Sequence, residues 1–320
     1  MTASAAPARA TARALSGTAF ATLLLIALMM GANHVAARVA FNNGLDVATA
    51  VAVRSIATAI VVSLLIVMQG VPLVQNGKEG RSFLSLLSAR HKRFLPVIGL
   101  LIAVQSICLY SAVARLPVAL ALLAFNTYPL WAALWDRVLY QRRTEPAVLK
   151  AMPVLLIGLA MALDVFGAAS GLGAAGQWRV IGAGVAFALA AGATFGLAMI
   201  LTQREAGDVD GRLRTVSTMA ITGLIALAVV TAQGGFHLPQ AVPGWWGLAA
   251  LTFLYGTAFT IMFTVLPKLG VAGNSAIMNV EPVFALVLAW LILGQSIAAI
   301  QVAGALLVVG TVMVLGLRKR

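Results

Sequence analysis

Two short segments share an asparagine followed three positions later by a proline, and both lie in apolar stretches. They pair Asn126 with Pro129 and Asn279 with Pro282. A proline lacks an amide hydrogen and clashes with the carbonyl four residues earlier, so each segment frees a backbone oxygen beside an amide side chain. Such oxygens and amides can hydrogen-bond a polar solute. The same residues can instead cap a helix kink and serve packing only, and the pattern leaves both roles open.

The third position of the two segments is occupied by Tyr128 in the first and by Glu281 in the second. A carboxylate in an apolar stretch is costly, and by default it indicates a group that binds a cation or exchanges a proton. Alternatively, Glu281 is protonated or paired with an arginine and stabilises its helix. Arg54 is the candidate countercharge for Glu281, and Asp164 is an alternative acidic partner for Arg54. We assign Arg54 and Asp164 a structural role.

Further polar side chains in the apolar stretches could complete a solute pathway. His34 beside Asn33 could gate the pathway or accept a proton near neutral pH, although a single histidine near a helix end also serves as a hydrogen-bonded interface residue. Four amide or aromatic side chains would suit a cavity for a small, partly apolar metabolite, while helix packing explains each of them alone. These four are Gln105, Tyr110, Tyr255 and Phe259.

The chain contains none of the motifs of common catalytic centres: no H-E-x-x-H, no G-x-S-x-G and no P-loop. Residues 171–176 match G-x-G-x-x-G, the motif of dinucleotide-binding sites. No strand pattern precedes them, so we do not interpret them as such a site. The single cysteine, Cys108, excludes an intrachain disulfide. We therefore predict no catalytic residue, no metal and no cofactor, and we interpret the chain as a non-enzyme.

The elements that position these residues are predicted to be membrane-spanning helices. Apolar residues make up 61% of the 320 residues and charged residues 10%, which is too little polar side chain to coat a soluble domain. Stretches of about 20 apolar residues, the length that crosses a bilayer, recur along the chain. The sequence predicts an all-α integral membrane fold with ten helices, at 18–38, 46–69, 93–114, 117–138, 147–167, 181–201, 213–232, 245–267, 271–293 and 297–317.

The basic residues indicate how these helices are oriented. Of the 22 lysines and arginines, Arg38, Arg115 and Arg179 fall in outer segments, Arg54 lies within a span, and all others lie in inner segments when the N-terminus is inside. Cytoplasmic loops carry such an excess, so both termini are predicted to be cytoplasmic. The net charge of +13 is spread over loops, which argues against a nucleic-acid partner and leaves the lipid bilayer and a small solute as partners.

The two halves of the chain show weak internal similarity. Residues 116–129 align with 269–282, and Gly31 aligns with Gly192. Because each half holds five predicted spans, the second half must enter the membrane from the opposite side, which is the inverted arrangement of many secondary transporters. The predicted organisation is a cytoplasmic tail (1–17), a first repeat (18–167), an external linker (168–180), a second repeat (181–317) and a basic cytoplasmic tail (318–320).

Several short segments form a recognisable pattern. The second half has Asn-Val-Glu-Pro at 279–282, Trp-Leu-Ile-Leu-Gly-Gln at 290–295 and Gln-Val-Ala-Gly at 301–304. The first half has Met-Met-Gly-Ala-Asn-His-Val-Ala at 29–36, followed by Arg54. These segments resemble the EamA repeats of the drug/metabolite transporter superfamily, and the resemblance covers nearly the whole chain, from about 18 to 317.

The resemblance implies a ten-helix secondary carrier of the bacterial inner membrane that exports amino acids or related metabolites, closest to the YddG-type amino-acid exporters. The first helix lacks the acidic residue that related small multidrug exporters use for proton coupling. Gly294-Gln295 also replaces the Gly-Glu that is common in the family. The missing acidic residue of the first helix leaves two mechanisms: facilitated diffusion, or coupling through Glu281 or His34.

In this interpretation, groups of helices rock around a central cavity in a monomer. Asn126, Asn279, Tyr128 and Glu281 contact the solute, with Glu281 nearest its ammonium group. An exporter of drugs, or of nucleotide- or sugar-type metabolites, stays open as one alternative, and a passive channel as another.

Overall fold

The structure is a computed structural model, and it describes residues 17–68, 74–75, 78–79, 87–142, 146–265, 280–295 and 297–318. The helices in these ranges are α1 (Gly17–Asn42), α2 (Val47–Met68), α3 (Ala89–Arg115), α4 (Val118–Phe125), α5 (Tyr128–Tyr140), α6 (Pro146–Ala162), α7 (Gly173–Glu205), α8 (Gly211–Ala232), α9 (Val242–Thr264), α10 (Glu281–Leu293) and α11 (Ala299–Arg318). Two short strands between α2 and α3, β1 (Val74–Gln75) and β2 (Lys78–Glu79), pair antiparallel.

Apolar helices dominate the described residues. Seven of them are long and apolar enough to cross a membrane when α4 and α5 are taken together. Three shorter apolar helices are Leu149–Ala162, Glu281–Leu293 and Ala299–Val314. A helix satisfies its own backbone hydrogen bonds, which makes it suitable for a bilayer. The expected all-helical membrane class is confirmed at this level, while the ten spans and the cytoplasmic termini remain predictions.

The fourth predicted helix is interrupted in its middle. A turn at Asn126 and Thr127 separates α4 from α5. Pro129, near the start of α5, cannot donate a backbone hydrogen bond, so an unbroken helix would lose one bond at this point. Two side chains cap the end of α4 instead: Asn126 Nδ2 donates to the Leu122 carbonyl oxygen and Thr127 Oγ1 to the Ala124 carbonyl oxygen, each at 2.8 Å.

The fifth predicted helix, 147–167, is shorter than expected, because α6 ends at Ala162. Asp164 follows with a left-handed φ of 48°, a conformation that aspartate tolerates and that ends helices. The prediction that Asp164 lies within this helix is therefore wrong. Its carboxylate accepts hydrogen bonds from the amides of Ala169 and Ser170, at 3.0 and 2.9 Å. Burial opposes ionisation of this carboxyl, but these hydrogen bonds outweigh burial and hold its pKa below the ordinary value.

The sixth helix begins earlier than the sequence predicted. α7 starts at Gly173, so much of the linker expected at 168–180 is helical. Gln177, in the first turns of α7, donates from Nε2 to the Leu163 carbonyl oxygen at 3.3 Å. It also accepts a hydrogen bond from the Ser170 hydroxyl at 3.1 Å. These contacts join the start of α7 to the turn after α6, which a sequence pattern does not reveal.

The two predicted repeats share one packed interior. α1 packs against α9 and α10, α2 against α8, α3 against α7 and α8, and α6 against α11. Each contact joins a helix of the first half to one of the second. Fully covered side chains in this interior include Leu23, Ile26, Leu122, Leu155 and Leu251. Polar groups on α1, α2 and α3 are therefore held against the second half of the chain.

A glycine allows α1 to approach α10 closely. A Cβ atom on Gly31 would lie 3.1 Å from both the Glu281 carbonyl oxygen and the Ala285 amide nitrogen. Those are backbone atoms of a helix, so they cannot move aside as a flexible side chain does. Gly31 thereby positions the first turn of α10, and with it Glu281, against the middle of α1.

Gly196 makes the equivalent contact between α7 and α5. A Cβ atom there would lie 2.9 Å from the Tyr128 carbonyl oxygen and 2.7 Å from the Ala132 amide nitrogen. Tyr128 and Ala132 are the residues that align with the two α10 residues touched by Gly31. Gly31 therefore corresponds to Gly196, and the sequence alignment of Gly31 with Gly192, one helical turn earlier, is wrong.

Candidate functional site

An ionisable pair, His34 and Glu281, joins α1 to α10. The His34 Nε2 atom lies 3.3 Å from a Glu281 carboxylate oxygen, and the two side chains are 4% and 19% exposed. Glu281 is the first residue of α10, where the helix dipole favours a negative charge. His34 is not near the end of its helix, as the sequence suggested, because α1 continues to Asn42. The structure thus brings together two residues that are far apart in the sequence.

A series of hydrogen bonds connects α1, α2 and α3. Arg54 donates from Nη1 to the Tyr110 hydroxyl at 2.9 Å and from Nη2 to the Ser106 hydroxyl at 3.0 Å. The Tyr110 hydroxyl donates in turn to Asn33 Oδ1 at 3.1 Å. Ser106 and Tyr110 are four residues apart, so both hydroxyls lie on one face of α3. Asn33 and His34 diverge by about 100° around α1, which lets one reach α3 and the other α10.

Aromatic rings cover the Arg54 guanidinium. Its central carbon lies 4.6 Å from the Tyr110 ring centroid and 4.0 Å from the Tyr255 ring centroid, both within the range of a cation–π interaction. Phe259, one turn after Tyr255 in α9, packs against that ring with a centroid separation of 4.6 Å. The His34 ring packs edge-on against Tyr110, with ring centroids 5.7 Å apart. We call the residues that meet here the central cluster: Asn33, His34, Arg54, Ser106, Tyr110, Tyr255 and Glu281.

Several buried polar atoms in this region lack a hydrogen-bond partner among the described residues. They are Asn33 Nδ2, His34 Nδ1 and Arg54 Nε, together with the hydroxyl of Ser55 beside Arg54. Buried polar groups are usually paired, so each exception calls for an explanation. The other buried side-chain atoms of the described chain without a hydrogen bond are Arg38 Nε, Arg204 Nε and Asp46 Oδ2, the last of which lies 3.7 Å from His237 Nδ1. The unpaired atoms are therefore concentrated on α1 and α2 at the central cluster.

Arg54 has no acidic partner, contrary to the countercharge that the sequence suggested. Among the described residues, no carboxylate oxygen lies within 4.0 Å of its guanidinium. Glu281 contacts His34 instead, and Asp164 is held by backbone amides in its own turn. The reason is orientation, since Arg54 points toward α3 and α9 while Glu281 faces α1. The predicted pairing of Arg54 with either carboxylate is wrong.

The helix break between α4 and α5 forms a second region with polar and aromatic groups. Tyr128 packs against Phe125 and Phe195, with ring centroids 5.7 and 5.0 Å apart. Asn126 is buried and uses one N–H of its side-chain amide to cap α4, so its second N–H and its side-chain oxygen are left for another contact.

The remaining predicted residues have different positions. Asn279 lies outside the described residues. Pro282 is the second residue of α10, where a missing amide hydrogen is tolerated. Gln105 borders the central cluster through a 3.4 Å contact from the Ser106 hydroxyl. Ser106 is the cluster member that sequence reasoning missed, and its four-residue spacing from Tyr110 was the signal that could have indicated it.

Comparisons with known proteins agree with this architecture. A family model described as the EamA-like transporter family matches residues 17–163 and 182–317. No curated protein matches the chain, while 21 chains of solved structures do. One of these, entitled "Crystal structure of protein", is 17% identical with a TM-score of 0.58, and the alignment covers 95% of this chain and 99% of that one. At this identity the similarity shows the fold alone.

Proposed function

Because the chain belongs to the EamA-like transporter family, whose members are membrane transporters of small solutes, we propose that it is a secondary carrier that exports amino acids. The proposal includes aromatic and other neutral amino acids and related small metabolites, and it places the protein in a bacterial inner membrane. The observation that supports it best is the central cluster. There, helices from both matched segments bring acidic, basic, amide and aromatic groups together inside an apolar bundle.

The groups of the central cluster suit an amino acid. Glu281, which is partly exposed, is the candidate contact for the ammonium group. Tyr128 and Asn126 at the helix break, with Asn279, supply further polar contacts. The tyrosine and phenylalanine rings offer apolar surface to the side chain of the solute, as in most small-molecule sites.

We propose alternating access as the transport mechanism, with two repeats of opposite orientation and both termini in the cytoplasm. The equivalent close contacts at Gly31 and Gly196 support this, because α1 approaches α10 in the same way as α7 approaches α5. Helices α1 and α7 would then rock on α10 and α5, which exposes the central cluster to one side at a time. A single chain supplies both repeats and the central cluster between them, so we propose that the protein acts as a monomer.

The His34–Glu281 pair is the candidate for proton coupling. A histidine can change its charge between pH 5 and 8, and a nearby carboxylate can exchange a proton with it or with a solute ammonium group. If transport is coupled to protons, counterflow should respond to an imposed pH gradient, and His34→Gln should abolish that response. An unchanged rate with and without the gradient would indicate facilitated diffusion.

Counterflow into liposomes tests the proposed substrate class. The purified chain is reconstituted, loaded with one unlabelled solute, and challenged with labelled members of a panel of amino acids, cationic drugs, nucleosides and sugars. We expect saturable accumulation of neutral or aromatic amino acids. Accumulation of drugs, nucleosides or sugars in their place would favour the corresponding exporter, and flux without saturation or counterflow would indicate a passive channel.

A double variant tests the two asparagines that the sequence predicts to contact the solute. Asn126→Ala combined with Asn279→Ala should lose most counterflow while the protein still elutes as a monodisperse species in detergent. The matched control is Thr194→Ala, which removes a hydroxyl of α7 that bonds only to carbonyls of its own helix. Unchanged counterflow in the double variant would reject these two asparagines as solute contacts.

A further inference from the structure

Arg54 is a buried cation with unused hydrogen-bond donors. A guanidinium has five N–H donors, and the described residues provide only the hydroxyls of Tyr110 and Ser106 as acceptors. Its Nε is buried and unpaired. A charged side chain at membrane depth is costly, which by default indicates a functional role. Arg54 lies roughly 10 Å along α2 from the start of that helix, well inside a hydrocarbon core of about 30 Å.

The surroundings hold the guanidinium in one orientation. The Tyr110 and Tyr255 rings lie 4.6 and 4.0 Å from its central carbon, and the hydroxyls of Ser106 and Tyr110 accept hydrogen bonds from its two terminal nitrogens. Cation–π contacts lower the cost of burying the charge but leave it unneutralised. A planar guanidinium held in this way presents parallel N–H groups that match the two oxygens of a carboxylate.

The charges around Arg54 favour a carboxylate that belongs to a zwitterion. Glu281 contacts His34, whose ring packs against Tyr110, one of the two rings beside Arg54. Adjacent residues of α1 reach toward the two charges, Asn33 through the Tyr110 hydroxyl and His34 directly. One positive and one negative group in a single cluster complement a solute with the opposite pair. A phosphate dianion would instead be repelled by Glu281.

We propose that Arg54 binds the carboxylate of the transported solute, with the unpaired amide nitrogen of Asn33 as an additional donor. This inference rests on the proposed carrier function and narrows it to solutes that carry a carboxylate beside an ammonium group. It also changes the role of Arg54, which the sequence suggested was structural, because none of the described residues places a carboxylate within 4.0 Å of its guanidinium.

Matched analogues test the carboxylate directly. Phenylalanine, phenylalaninamide, phenethylamine and 3-phenylpropionate share one ring and differ only in their charged groups. Thermal unfolding of the purified full-length chain is measured with each compound, and counterflow is measured in liposomes with the same four. We expect the wild type to prefer phenylalanine over the amide and the amine by about tenfold or more, the size of a charge-assisted hydrogen bond.

Substitutions then assign this preference to Arg54. Arg54→Gln should abolish the preference for phenylalanine. Arg54→Lys keeps the charge but loses the planar pair of N–H donors, so it should retain a reduced preference. The lysine variant keeps the test decisive if Arg54→Gln fails to fold. The control is Arg38→Gln, because Arg38 also has an unpaired Nε but, within the described part of the chain, donates only to the backbone carbonyls of Val113 and Leu116. Arg38→Gln should keep the wild-type preference.

The outcomes separate this inference from the carrier proposal. Equal binding of phenylalanine and its amide by the wild type, no binding of any of the four, or a preference that persists in Arg54→Gln would overturn the carboxylate site. Counterflow of phenylalanine with no carboxylate preference would leave the carrier proposal standing and reject the inference. Carboxylate-dependent binding without counterflow would support the carboxylate site and reject the carrier proposal.

Discussion

Arginines meet carboxylates at the helix ends, whereas the arginine of the central cluster, Arg54, has no carboxylate partner among the described residues. We call the residues where α3 begins and α5 and α7 end the helix-end network: Arg90, Asp136, Tyr140, Arg204 and Glu205. There, Arg90 Nε lies 2.7 Å from a Glu205 oxygen, and the Tyr140 hydroxyl donates to the other Glu205 oxygen at 2.5 Å. Arg204 bonds to both oxygens of Asp136, at 3.0 and 3.1 Å.

The central cluster has the opposite character. Arg54 has no carboxylate partner among the described residues, and Glu281 contacts a histidine whose other ring nitrogen is unpaired. Pairing at the helix ends stabilises one arrangement of α3, α5 and α7 at little cost, because solvent reaches side chains such as Arg90, which is 52% exposed. Unpaired groups in the interior lower stability and remain available to a ligand. The comparison predicts that function is sensitive to the cluster and much less to the network.

The largest effect is expected when the central charge is removed. Glu281→Gln keeps the volume of the side chain but loses the negative charge, so counterflow of phenylalanine should fall about tenfold or more. The same change in the helix-end network, Glu205→Gln, should leave counterflow within about twofold. Equal losses in the two variants would show that the two regions do not differ in the way described.

A hydroxyl deletion compares the two regions by stability. Tyr110→Phe leaves both an Arg54 nitrogen and the Asn33 oxygen without their partner, so we expect a loss of about 1–3 kcal/mol in the free energy of unfolding. Tyr140→Phe should cost less than about 1 kcal/mol, because Glu205 keeps Arg90 as a partner. Unfolding in a detergent titration measures both. A larger loss for Tyr140→Phe would reverse the ranking.

A carboxylate outside the helices provides a test by pH. Burial opposes ionisation of Asp46, but hydrogen bonds from Thr49, Gln233 and Ala48 outweigh burial and lower its pKa from the ordinary 3.8. A lowered folded-state pKa stabilises the fold above the unfolded-state pKa, and this contribution is lost as pH falls through the folded value. Asp46→Ala should therefore cost about 1 kcal/mol near neutral pH, as for other lost helix caps.

The same experiment at low pH checks the sign. The difference in thermal unfolding between wild type and Asp46→Ala should shrink as the pH is lowered past 3.8. Asp46→Asn is the control, since asparagine also caps a helix and carries no charge. A difference that grows in acid would contradict the assignment of the stabilised form to the ionised carboxylate.

The smallest effect is expected for the exposed ion pair of the helix-end network. A double-mutant cycle with Arg90→Gln and Glu205→Gln should give a coupling of about 0.2–1 kcal/mol. That coupling should decrease at high salt, because exposed charges are screened. A coupling free energy as large as that of a buried ion pair would show that the helix-end network contributes strongly to stability, and the contrast with the central cluster would then not hold.

The sequence was sufficient for the class of protein and for most of the candidate residues. Long apolar stretches predict membrane helices because a bilayer requires about 20 such residues, and polar residues such as Asn33, His34, Arg54 and Glu281 stand out within them. The Asn-x-x-Pro pattern also predicted a disturbed helix at Asn126. Sequence periodicity could not show that this disturbance is a full break, since side-chain capping decides between a break and a kink.

Only the tertiary structure decided which of these residues meet. The sequence suggested Arg54 as the partner of Glu281, but helix rotation directs Arg54 to Tyr110 and Tyr255 and leaves Glu281 facing His34. It also aligned Gly31 with Gly192, although backbone contacts match Gly31 with Gly196. Apolar residues on every side of a membrane helix give no information about its rotation, so the direction of each polar side chain depends on how the helices pack against one another.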